Sequence, residues 1–125
     1  MVTADVAQLS RECNTWREAL RSQREDLAHM KGELQKAAAH LINKEALKEV
    51  EHYQNQFHIQ LINIHDLKQN IKSHEKIASV QIGNDDTRTF DEVVSDHEKL
   101  SEEFQDLSQT LNDLKIDFHH FLERT

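Results

Sequence analysis

Apolar residues recur along this chain at alternating three- and four-residue steps, in three segments of nearly equal length. In the first, Val6, Cys13, Leu20, Leu27, Leu34 and Leu41 share one position of a heptad, and Leu9, Trp16, Gln23, Met30 and Ala37 follow three residues later. The second keeps a seam at Val50, Phe57, Ile64, Ile71 and Ala78, flanked by Leu47, Tyr53, Leu61 and Leu67. The third is the most regular, with Phe90, His97, Phe104, Leu111 and Phe118 at one position and Val93, Leu100, Leu107, Leu114 and Phe121 at the other. Such spacing lays one stripe along a helix, so each segment predicts an amphipathic helix with a buried seam.

The breaks follow from slips in the repeat. Leu41 and Val50 are out of step, and a continuous helix would turn its apolar face by about 200° there. A turn near Asn43 removes the conflict, with Asn43 as N-cap and Ile42 and Leu47 placed for a hydrophobic staple. Gly83-Asn84-Asp85-Asp86-Thr87 marks the second break, and Thr89 with Glu92 forms a capping box after it. With Thr3 as the first cap, the helices span about residues 3–41, 45–81 and 89–123 of a single domain covering 1–125. Three similar rods joined by short turns make an elongated, all-α, up-down-up antiparallel three-helix bundle. With a tryptophan early in its first helix, the arrangement resembles a spectrin-type repeat in architecture.

Composition narrows the function classes. The chain has 125 residues, no proline, two glycines and a formal net charge of −8. Its densest basic stretch, Arg11 to Arg24, is interrupted by Glu12, Glu18 and Glu25, which argues against the concentrated basic face that nucleic acid or an anionic membrane requires. No stretch approaches the roughly 20 apolar residues of a membrane span. The start, Met1-Val2-Thr3-Ala4-Asp5, lacks the pattern of a signal peptide. Cys13 is the single cysteine, so no internal disulfide forms and a cytoplasmic protein is expected.

Candidate chemistry centres on the histidines. His74 and His97 occupy seam positions in similar strings, Ser73-His74-Glu75-Lys76-Ile77 and Asp96-His97-Glu98-Lys99-Leu100. Counting outward from the expected turns sets Cys13, His74 and His97 at one height, with Trp16 a turn away. One thiolate and two imidazoles suit zinc, with Glu75 or water in the fourth position. A buried polar layer that fixes helix register, with Cys13 packing as a small hydrophobe, or one that weakens the bundle as its imidazoles protonate, uses the same residues.

Carboxylate-x-x-histidine pairs at Asp26/His29, Glu49/His52 and Asp117/His120 fall on outward positions, away from the seam where a di-iron site would lie. His40, His52, His119 and His120 are expected near one end of the bundle. Gln23, with Gln54 or Gln60, interrupts the core, and Gly32 marks either a close approach, a bend or an exposed helix position. A filled seam leaves no cleft for a small-molecule substrate, so an enzyme is not expected. The expected role is interaction or scaffolding through helix faces, with a protein partner or by self-association, the apolar Ile59, Leu61 and Ile62 region being the contact candidate. The alternative is a metal-binding or pH-responsive bundle built on Cys13, His74 and His97.

Overall fold

The computed structural model describes residues 6–81 and 90–125, with side-chain environments for 7–77 and 90–125. Three helices account for almost all of them: α1 (Val6–Ala38), α2 (Lys44–Gln81) and α3 (Phe90–Arg124). At 33, 38 and 35 residues they are rods of about 50–57 Å. Side-chain contacts set their directions. Arg17 of α1 meets Glu75 late in α2, Glu49 early in α2 meets Arg124 at the end of α3, and Asp26 of α1 faces Lys115 of α3. So α1 and α3 run parallel and α2 antiparallel to both, an up-down-up three-helix bundle. The backbones of α1 and α3 approach one another least closely.

The turn between α1 and α2 lies where the slipped repeat demands it. The last amides of α1 switch to shorter loops, His40 N–H donating to Ala37 and Leu41 N–H to Ala38, both at 3.2 Å. Asn43 caps α2: its Oδ1 accepts from the Glu45 amide at 2.8 Å, which has no partner inside the helix, while its carbonyl accepts the first helical bond from Leu47 N–H at 3.0 Å. Two expectations fail here. α1 stops at Ala38 rather than near Leu41, and the staple is absent because Ile42 is 96% exposed. Leu47 is exposed too: the first turn of α2 projects past the end of α1. The caps expected at Thr3 and Thr89 and the break at Gly83–Thr87 lie outside the described residues.

Most of the predicted seam is buried. Leu20, Leu27, Leu34, Phe57, Ile64, Ile71, Phe118 and Phe121 are almost fully enclosed and form one continuous core with Met30, Val50, Tyr53 and Leu111. Phe90 departs from the pattern and is exposed, standing one turn beyond the terminal cluster of Leu9 and Val93, against which Ile77 packs. Gln60, not Gln54, is the buried glutamine, and it accepts from Asn63 at 3.2 Å. Gln23 is half-buried and donates to Ser108 Oγ at 3.0 Å. A Cβ built on Gly32 meets nothing within 4 Å, so no helix closes on that position.

Candidate functional site

Between the main core and the small Leu9/Val93 cluster lies a polar layer. Cys13 from α1, His74 from α2 and His97 from α3 are 1%, 6% and 5% exposed, and one donor atom from each lies within 4.8 Å of the other two. Each helix contributes one side chain because the seam positions of antiparallel neighbours meet at equal distance from a turn. The structure therefore brings together the three residues that counting along the seams placed at one height.

The hydrogen bonding has a direction. His97 Nε2 lies 2.9 Å from Glu12 Oε1, and a carboxylate accepts only, so Nε2 carries a proton and donates. In the neutral ring that assignment leaves His97 Nδ1 as an acceptor. His74 Nε2 sits 3.0 Å from it and donates to it. Cys13 Sγ stands 4.0 Å from the same nitrogen, at the limit of a thiol contact. The layer is thus a relay from His74 through His97 to Glu12, with the accepting His97 Nδ1 beside the sulfur. Trp16 covers it on one side, its ring centroid 4.6 Å from that of His97, and Phe104 lies 6.1 Å beyond.

Burial costs polar groups their water unless hydrogen bonds replace it, and it acts on the thiol as well. The Cys13 pKa is pushed up from 9.0 to about 12, first by burial, then by the Glu75 carboxylate, with Glu12 adding and Arg17 opposing. In the metal-free protein Cys13 is a thiol throughout the neutral range. Thiolate is the nucleophilic form, so this cysteine lacks the activation that covalent catalysis needs.

Glu75 occupies a different place from the one its spacing implied. Its Oε1 is 3.1 Å from Arg17 Nε, yet both atoms are buried and too poorly aligned to count as hydrogen-bonded. The pair is an ion contact at the edge of the layer rather than a satisfied bridge. Glu12, absent from the seam pattern, supplies the closest carboxylate contact. A polar residue flanking a seam cysteine, across from a seam histidine, is the signal that identifies it.

The other histidines stand apart. His40, His52, His119 and His120 are exposed, and no second group of three such donors converges among the described residues. The carboxylates of the three spaced pairs are engaged elsewhere: Asp26 with Lys115 at 3.8 Å, Glu49 with Arg124 at 2.9 Å, and Asp117 with the Tyr53 hydroxyl at 2.8 Å. Among the described residues no helix is long and apolar enough to cross a membrane. Comparison with protein-family models, with curated proteins and with solved structures finds no match, and the likeness to a spectrin-type repeat extends to the antiparallel order of three helices alone.

Proposed function

We propose that this chain is a non-catalytic helical-bundle protein of the reducing cytoplasm that works by presenting a helix face to another protein helix, in the simplest case a second copy of itself. The carrying observation is a second apolar stripe on α2. Phe57 and Ile64 face the core at 1% and 2% exposure, while Ile59 and Ile62 remain 39% and 46% exposed. At 3.6 residues per turn, Ile59 and Ile62 lie within about 60° of one another on the side opposite that core-facing pair. Leu61, between them in sequence, packs against the core and leaves the outer stripe to the two isoleucines. Asn55 and Asp66 continue that stripe as exposed polar residues, giving the apolar centre and polar rim of a protein contact.

The stripe is self-complementary. Two α2 helices laid antiparallel about a two-fold axis between residues 60 and 61 pair Ile59 of each copy with Ile62 of the other, and Asn55 with Asp66. Two isoleucines per copy cover far less than the roughly 800 Å² per partner of a stable complex, so the association is weak and concentration-dependent. Sedimentation equilibrium across a wide concentration range tests it. Average mass should rise with concentration for the native chain and stay monomeric for Ile59→Lys/Ile62→Lys. A monomer at every concentration, or equal association of both proteins, removes the self-association reading.

A further inference from the structure

We propose that Cys13 Sγ, His74 Nε2 and His97 Nδ1 form a binding site for a zinc-class transition-metal ion, with Glu12 as the outer partner that aims His97 at the metal. Three independent features of the layer converge on this assignment.

The donor set is the first. One sulfur and two imidazole nitrogens make a borderline-soft combination that favours zinc, cobalt or copper over magnesium or calcium. Spacing is the second. Tetrahedral zinc with Zn–N of about 2.0–2.1 Å and Zn–S of about 2.3 Å holds its nitrogens about 3.3 Å apart and sulfur about 3.6 Å from nitrogen. The structure has the two nitrogens at 3.0 Å and sulfur to His97 Nδ1 at 4.0 Å. These two separations differ from the required values by under half an ångström, and all three donor atoms lie within 4.8 Å of one another, so side-chain rotations on three separate helices must draw sulfur and His74 together around the ion.

The third feature is the Glu12–His97 contact. Metal-bound histidines regularly donate their second ring N–H to a carboxylate, which fixes the tautomer and strengthens the ligating nitrogen. Glu12 Oε1 does this at 2.9 Å from His97 Nε2, leaving Nδ1 turned toward Cys13 and His74. Glu75 Oε1 pairs with Arg17 at the edge of the layer and is not among the converging donors, which leaves the fourth position to water.

Binding balances simply. The metal takes the Cys13 sulfur as thiolate and the thiol proton leaves to solvent. The His74 proton moves from Nε2 to Nδ1, so its Nε2 lone pair faces the ion. One proton is released per metal bound, and no redox change occurs.

Cobalt(II) is the probe. Because Cys13 is the only cysteine, a sulfur-to-cobalt charge-transfer band reports this residue without any variant. Titration of the metal-stripped chain should give that band with the intense visible absorption of tetrahedral cobalt, saturating at one equivalent and bleached by zinc. Glu12→Gln should weaken cobalt about 10–100-fold with the stoichiometry kept. Cys13→Ser, checked for helicity, should lose the band, whereas His119→Ala/His120→Ala should keep it unchanged. Absence of the charge-transfer band in the native chain overturns the site. So does binding that survives Cys13→Ser and disappears with His119 and His120, which would be adventitious surface capture.

Discussion

At the end of the bundle where α1 finishes, Phe118 meets Phe57 and Tyr53 edge to face, with ring centroids 5.1 Å and 5.4 Å apart, and stacks on Phe121. At the opposite end the same seam positions hold Cys13, His74 and His97, met by hydrogen bonds instead of ring edges. Both ends are sealed from water, but by different means. The aromatic end depends on shape and apolar burial, which change little with dissolved ions, or with pH below about 10 where tyrosine stays protonated. The histidine end depends on where protons sit, and so on the state of the solvent. Across the neutral range, a bundle made this way carries its steady stability at one end and its responsiveness at the other.

The largest expected effect tests the first half of that contrast. Phe118 is 0% exposed and contacts three other aromatic rings of the cluster, Tyr53, Phe57 and Phe121. Phe118→Ala should cost about 3–5 kcal/mol, through lost transfer energy and a cavity the neighbours cannot fill. Urea unfolding at neutral pH measures it, and a loss under about 1 kcal/mol would mean that the aromatic end is loosely packed.

Next comes the metal. An ion that binds only the folded chain at 100 times its dissociation constant adds about 2.7 kcal/mol. Zinc added to stripped protein should therefore raise the unfolding midpoint clearly, and Cys13→Ala should abolish the rise. Phe118→Ala should keep it, because the aromatic cluster supplies none of the donors. Loss of the zinc effect in Phe118→Ala would show the two ends to be coupled.

A third test asks what the layer contributes without metal. His97→Leu leaves the His74 Nε2–H without the acceptor it has at 3.0 Å, a loss of about 1–3 kcal/mol for a buried polar group. Replacing both histidines by leucine removes donor and acceptor together and should cost less than the two single changes combined. Additive losses in a double-mutant cycle would count against the relay from His74 to His97.

These contrasts show how far the seams are readable without coordinates. Helix number, the turn at Asn43 and the buried identities of Leu20, Phe57 and Phe118 follow from periodicity, because a seven-residue repeat determines which side of a helix faces inward. Counting from the turns also aligned Cys13, His74 and His97, since antiparallel rods rise equally per residue. Leu47 was misassigned, since the repeat takes no account of where neighbouring helices stop, and Phe90 lies beyond the last buried cluster. Glu12 escaped notice for another reason. Its contact runs sideways into the layer from a flanking position, and height along the axis carries no information about such a reach. The Arg17–Glu75 pair was missed in the same way.

The smallest effect uses two groups that titrate in the same direction at opposite ends. Burial, then its hydrogen bond to Asp117, pushes Tyr53 from 10.0 to about 12, and burial pushes Cys13 from 9.0 to about 12. Both are acids whose neutral form the fold favours. Below pH 9 folded and unfolded chains hold these protons equally. Above it the unfolded chain releases the Cys13 proton first, and stability falls by up to about 1.4 kcal/mol per pH unit for each group as pH climbs toward 12. Metal-stripped protein should therefore begin to weaken near pH 9 and more steeply above pH 10. Cys13→Ala should delay the onset to about pH 10, while Tyr53→Phe should leave the onset in place and reduce the later slope. Urea midpoints across pH 8–11 read both. If Cys13→Ala weakens at the same pH as the native chain, its thiol is not held protonated by the fold, and the contrast between a solvent-indifferent end and a proton-dependent one loses its chemical basis.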